Sequence, residues 1–327
     1  MIEALIDYGL FLAKTLTILA GIGLLVVGTV RARKAGHLDG DQLAVTSLND
    51  CYRDLAHTLR AASSPQKAFR KSLKADRKAD KAREKSSEPR PRLFVIDFHG
   101  DIKATESAAL REAITGILME AKEGDRVLIR LENAGGLVTE HGLAASQLTR
   151  LRARGIHLTV AVDKVAASGG YLMAAVADHI IAAPFAVVGS IGVVVQLPNF
   201  HRVLERHGVD FELHTAGDYK RTLTLFGENT EAGREKLRQQ LEETHDLFKD
   251  FILEYRPGLD LAQVATGEYW HGRQALALGL IDELKTSDDF LLEAAGTADL
   301  YKVSYTAHKK PLERLLSSLT QAMQRVF

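Results

Sequence analysis

Apolar and polar positions change rhythm three times along the chain. Between Tyr8 and Val30 the stretch YGLFLAKTLTILAGIGLLVVGTV is apolar on every side, with Lys14 as its only charge. About 20 residues at about 1.5 Å each cover the ~30 Å hydrocarbon core of a bilayer, so this run predicts a membrane-spanning helix. As a buried core helix it would leave too many apolar faces exposed. Glu3 and Asp7 precede the run, and Arg31, Arg33 and Lys34 follow it. A cleavable signal peptide has a basic start and small residues at a cleavage site, so residues 1–34 are expected to be retained as an anchor. The basic flank places the N terminus outside and the rest of this single-pass chain on the cytoplasmic face.

The second regime, residues 35–91, is polar. In LNDCYRDLAHTLRAA, Leu48, Tyr52, Leu55 and Leu59 recur at helical spacing and predict a short amphipathic helix. From Pro65 to Arg92 eleven Lys or Arg stand against four Asp or Glu, with almost no large apolar residue. Such a stretch cannot bury a core and reads as a basic linker or a solvated helix. Anionic headgroups are its functional alternative; nucleic acid ranks behind, since no aromatic residues interleave with the bases.

In the third regime, residues 92–300, continuous apolar runs alternate with helical segments: LFVIDFHG, RVLIRLE, HLTVAV and HIIAAP, with helices between. Apolar strands without polar alternation are buried on both faces, which predicts an α/β domain with a parallel sheet and crossover helices. A long charged helix is expected from Glu231 to Tyr255, ended by Pro257 and Gly258, with Leu237, Leu241, Phe248 and Ile252 turned inward. In the tail, residues 301–327, Leu312, Leu315, Leu316, Leu319 and Met323 share one helical face, which suits docking on a neighbouring subunit or on its own domain equally.

Charge and composition narrow the chemistry. Lys plus Arg number 42 and Asp plus Glu number 42, so no global field draws in nucleic acid. The single cysteine, Cys51, excludes an intramolecular disulfide and a cysteine-cluster metal site. Neither clustered metal ligands nor a phosphate-binding glycine fingerprint occurs, so no metal and no organic cofactor is expected.

In AASGGYLMAA one hydroxyl, Ser168, stands among residues with almost no side chain, where a strand-like run meets a helix-like run. Functional residues of parallel α/β sheets gather at such junctions. Ser168 is therefore a candidate nucleophile, and Gly169 a backbone donor; the competing role is a helix N-cap, which serine also favours. A second turn, RLENAGGLV, presents Gly135 and Gly136, so two backbone N–H groups, one from each turn, could form an oxyanion hole. The base is open among several carboxylates, histidines such as His179 and His201, and Lys220 in FELHTAGDYKRTLTLFG. An ammonium with a reference pKa of about 10.4 serves as a base near neutrality only if burial away from water lowers it by a few units.

VDKVAASGGYLMAAVADHIIAAPFAVVGSIGV, from Val162 to Val193, resembles the core of the signal peptide peptidase A (protease IV) family of serine proteases. AGDYKRTLT resembles that family's catalytic lysine segment, and GEYWHGRQALALGLIDEL, from Gly267 to Leu284, its C-terminal signature. The anchored, basic N-terminal third with one catalytic domain is most similar to a single branch of the family. The resemblance implies a ClpP/crotonase-type fold, Ser168 as nucleophile, Lys220 as general base, and Gly136 and Gly169 as oxyanion donors. The family's Asn-Ser-Pro-Gly-Gly turn corresponds here to Glu132, Asn133, Ala134, Gly135 and Gly136, without the proline. Related enzymes bind peptide as an added strand, which implies substrate contacts at Gly135, Leu137, Gly189, Ser190, Ile191 and Gly192. It further implies apolar or membrane-derived peptide substrates, a homo-oligomer and the bacterial inner membrane. Two rivals remain open: a crotonase-like acyl-CoA enzyme, which would need neither Ser168 nor Lys220, and a non-catalytic membrane-tethered scaffold.

Overall fold

The alternation of apolar runs and helical segments is realised as a mainly parallel sheet covered on both faces, a mixed α/β fold. The computed structural model describes residues 14–15, 42–84 and 90–306. By contacts the chain forms two units, residues 1–43 with 305–327, and Ala44–Ser304. In the first unit Lys14 and Thr15 are helical; the remainder of the expected anchor and the expected C-terminal helical face lie outside the described residues. Among the described residues no helix is long and apolar enough to cross a membrane.

The elements in chain order are β1 (Gln42–Ser47), α1 (Leu48–Ser63), α2 (Gln66–Glu84), β2 (Arg92–Gly100), α3 (Ser107–Glu120), β3 (Arg126–Asn133), α4 (Val138–Arg152), β4 (His157–Val162), β5 (Val165–Ala167), α5 (Gly169–Ala175), β6 (His179–Ala182), β7 (Val187–Gly189), α6 (His201–Arg206), α7 (Glu231–Tyr255), α8 (Leu261–Val264), β8 (Tyr269–His271), α9 (Gly272–Ala277), β9 (Glu283–Leu284), α10 (Ser287–Thr297) and β10 (Asp299–Thr306). Parallel pairing runs in the order β10-β2-β3-β4-β6-β9. β5 branches off to pair with β3 and β7, and β8 closes antiparallel on β7.

Side-chain alternation along each strand explains the two layers, because successive residues point to opposite faces. Phe94, Ile96 and Phe98 of β2 and Val127 and Ile129 of β3 face α3, α4 and α5, where Ile114, Leu148 and Tyr171 are buried with them. Leu93, Val95 and Leu128 face the other way, onto Leu291 of α10, with Leu48 and Tyr52 of α1 packed against them. The amphipathic stripe of α1 is thus only half used: Leu55 and Leu59 remain exposed. The basic segment is helical as α2, folded beside α1 with His57 Nε2 and Arg60 Nη1 both reaching Asp76 Oδ2, at 3.0 and 2.9 Å.

The long helix α7 has the expected span. Thr230 caps it by accepting a hydrogen bond from Gly233 N at 3.1 Å. Of its four inward positions only Ile252 is fully buried, while Leu237, Leu241 and Phe248 are half-buried. Arg256, at its C-terminus, donates to both oxygens of Asp282 at 2.8 Å, and Asp282 Oδ2 also accepts from Ile180 N at 2.7 Å. Burial raises the Asp282 pKa, yet the Arg256 guanidinium and the Ile180 amide outweigh it and hold the carboxyl below its ordinary value.

Candidate active site

The carboxyl ends of β2, β3, β5 and β7 converge at one point, with Gly100 paired to Asn133, Asn133 to Ala166, and Ala167 to Gly189. Ser168 follows β5 directly and opens α5, whose seven residues are all buried. Its backbone adopts φ 51° and ψ −121°, a conformation that costs a non-glycine residue about 1–3 kcal/mol. The turn is over-determined: Ser168 N donates to Gly189 O at 2.7 Å and Leu172 N donates to Ser168 O at 3.0 Å. Although Ser168 occupies the N-cap position, its side chain makes no capping hydrogen bond. The half-buried hydroxyl is therefore not spent on helix capping.

The glycine turn after β3 lies against it. Gly135 has φ +90°, and a methyl group there would meet Ser168 Cβ at 2.7 Å and Gly169 N at 3.0 Å. Gly136 is pressed on the loop after β2, where an added Cβ would sit 2.2 Å from Ile102 O; Leu137 N donates to that same oxygen at 2.9 Å. Gly135 N is spent on Asn133 Oδ1 at 2.8 Å. Gly136 N and Gly169 N, by contrast, have no acceptor among the described residues. Two free backbone donors thus flank one strained serine, an arrangement suited to a tetrahedral oxyanion.

The other expected contacts are placed differently. Gly189 ends β7, which is paired on both edges, with β5 and with β8. Ser190 N donates to Glu268 O at 2.7 Å, and Ile191 O accepts from Gly267 N at 3.1 Å and from His245 Nε2 at 3.2 Å. The segment from Gly189 to Gly192 is therefore largely engaged within the fold, while Leu137 is half exposed at the rim. The stretch from Gly267 to Leu284 braces the site from behind: Tyr171 OH donates to Leu280 O at 2.9 Å, and burial raises the phenol well above the ordinary tyrosine range.

Lys220 lies in the connection between β7 and α7, with its side chain exposed and its N donating to Gly217 O at 3.2 Å. No hydrogen bond joins it to Ser168 among the described residues. The same connection carries exposed apolar side chains, Val194, Phe200, Phe211, Tyr219 and Phe226, and Phe226 packs on Phe200 and Phe211 at centroid distances of 6.1 and 5.8 Å. Neither alternative histidine is hydrogen-bonded to Ser168 among the described residues. His179 is at the amino end of β6 and bonds Glu283 Oε2 at 3.1 Å, while His201 opens the surface helix α6.

Sequence reasoning passed over the two polar residues nearest the turns, Asn133 and His141. Asn133 is 1% exposed and His141 0%. Their signal lay in position, at the end of a strand and in the first turn of the helix after Gly136.

Comparison with known proteins shows the family. The profile described as peptidase family S49 N-terminal matches residues 3–148, and that of peptidase family S49 matches residues 150–301. The chain belongs to peptidase family S49. Within it the chain is SohB-like: it is 47% identical to a probable protease SohB of Haemophilus influenzae, across 95% of this chain and 92% of the relative. It is 46% identical to one from Buchnera aphidicola subsp. Acyrthosiphon pisum, across 97% and 94%. Among solved structures, a mutant of the 1510-N membrane-bound stomatin-specific protease is similar at 14% identity and a TM-score of 0.43, over 63% of this chain and 85% of that one.

Proposed function

We propose that the chain is a membrane-anchored serine endopeptidase of ClpP/crotonase-type fold, with Ser168 as nucleophile and Lys220 as general base. The observation that carries this reading is the strained Ser168, its side chain making no capping hydrogen bond, flanked by the amides of Gly136 and Gly169, which have no acceptor among the described residues. Strain of this kind persists where the surrounding structure holds a reacting group in place.

In the proposed reaction the neutral Lys220 amine takes the Ser168 hydroxyl proton as Oγ bonds to a peptide carbonyl carbon. The carbonyl oxygen becomes an oxyanion held by Gly136 N–H and Gly169 N–H. Collapse breaks the C–N bond, and the Lys220 ammonium passes its proton to the leaving amine. Lys220 then deprotonates a water that attacks the Ser168 ester, and as the acyl C–O bond breaks its ammonium returns the proton to Ser168 Oγ, releasing the acid. Dry surroundings for Lys220 would come from apolar substrate and from a second copy of the chain covering the exposed Phe200, Phe211 and Phe226. An anchor over residues 1–34 and a single pass through the bacterial inner membrane, with the domain on the cytoplasmic face, suit apolar, membrane-derived peptides as substrates.

The test is cleavage of an internally quenched apolar peptide by the full-length protein in detergent. Hydrolysis by the wild type, lost in both Ser168→Ala and Lys220→Ala, supports the dyad. Retained hydrolysis in either variant refutes the role given to that residue.

A further inference from the structure

We propose that His141 is a positioning residue for the oxyanion hole, acting through Asn133 to lock the two glycine turns together; this rests on the serine-protease reading above. The imidazole has no solvent exposure, although nothing in a hydrolytic dyad of serine and lysine calls for a buried histidine. Its Nδ1 lies 3.0 Å from Leu137 O. The backbone N of His141 donates to the same oxygen at 3.0 Å and so holds Leu137, the residue after Gly136. Nε2 lies 3.2 Å from Asn133 Oδ1, the atom that accepts Gly135 N–H at 2.8 Å; an amide oxygen can only accept, so the single N–H of a neutral ring sits on Nε2 and is donated there. One side-chain oxygen therefore gathers Gly135 and His141, and the ring reaches on to Leu137. The peptide unit that carries Gly136 N–H is fixed on either side by this chain of contacts.

The second turn is held by packing against the same two residues. A methyl group at Gly169 would lie 2.5 Å from Cγ of His141, so the ring forms the wall behind the second oxyanion donor. One at Gly170 would lie 2.1 Å from Asn133 O. Asn133 Nδ2 reaches Met173 Sδ at 3.4 Å, inside α5. Both donors thus share one buried polar support, and buried side-chain networks of this kind are rigid when satisfied. Ala134 supplies no ring constraint to the turn; the Asn133 and His141 side chains do that work.

The experiment uses the full-length protein and the same quenched peptide, with thermal unfolding run on every variant. A displaced oxyanion donor weakens the transition state and not the bound substrate. His141→Leu is therefore expected to lower kcat about 10- to 100-fold with KM changed by less than about twofold. His141→Gln, whose amide can still reach Asn133, is expected to recover at least part of the loss. Asn133→Ala should resemble His141→Leu, and the double variant should lose no more than the worse single one, because the two act as a unit. Unchanged kcat in folded His141→Leu, losses that multiply in the double variant, or a kcat loss matched by the unfolded fraction would each overturn the proposal. If His141→Leu does not fold, Asn133→Ala carries the same criterion. Ser168→Ala separates the two readings: full turnover there removes the nucleophile and this proposal with it, whereas a silent Ser168→Ala beside a fully active His141→Leu removes this proposal alone.

Discussion

Gly135 lies in direct contact with Ser168: a methyl group added at Gly135 would come within 2.7 Å of Ser168 Cβ. The glycine turn after β3 and the turn that carries Ser168 are therefore one packed unit, and neither can shift without the other. Gly135→Ala must both relieve this overlap and accept φ +90°, a region that L side chains rarely adopt. A stability loss of about 1–3 kcal/mol is expected, and peptide hydrolysis should fall about 100-fold or more in the protein that remains folded. Thermal unfolding and turnover on the same preparation check both.

Strain at Ser168 leads to a stability gain in an inactive variant. Glycine accepts φ 51° and ψ −121° without steric cost, whereas alanine keeps the Cβ that causes the strain. Ser168→Gly is expected to be inactive and to gain about 1 kcal/mol, a rise in Tm of roughly 2–4 °C. Ser168→Ala is expected to be equally inactive with Tm near that of the wild type. Calorimetry on the three proteins compares them; a destabilised glycine variant would show that the turn is relaxed.

The ion pair between Asp282 and Arg256 predicts a pH dependence of stability. Asp282 has its folded-state value held below the ordinary carboxylate range by Arg256 and the Ile180 amide, against the effect of burial. Its contribution is complete above the unfolded-state value and is lost as pH falls through the lower folded-state value. Asp282→Asn should cost about 1–3 kcal/mol at neutral pH. Denaturant titrations of wild type and variant should give a constant gap from neutral to mildly acidic pH that closes only in strong acid. A gap that closed near neutrality would assign the pH dependence to another group.

Removal of residues 1–34 is expected to shift the protein from the membrane fraction to the soluble fraction after an alkaline carbonate wash, while the full chain stays with the membrane. Membrane retention of the shortened chain would transfer the anchoring role to the basic helix α2 or to the tail.

Much of the architecture was legible because parallel strands buried on both faces leave unbroken apolar runs. β2, β3 and β4 are visible for that reason, and α7 is visible by its long charged run and the Pro257 and Gly258 that end it. Ser168 stood out as one hydroxyl among small residues at a strand-to-helix junction, with helix capping as its competing role. Asn133 and His141 were illegible for a physical reason: each reads as an ordinary polar residue near a turn, and burial arises only when α5 packs across both. The half-buried stripe of α1 and the exposure of Lys220 likewise depend on what covers a surface, which periodicity along one chain does not encode. The departure from the Pro-containing turn was visible, but the hydrogen bond that Gly135 N donates to the Asn133 side chain was not.

The dyad itself is most directly tested by locating the covalent adduct of a fluorophosphonate probe by mass spectrometry, on the full-length protein in detergent and on Lys220→Met. The account predicts phosphonylation at Ser168 in the wild type and none at that residue in Lys220→Met. An adduct on another residue, or equal labelling of Ser168 in both proteins, would contradict it.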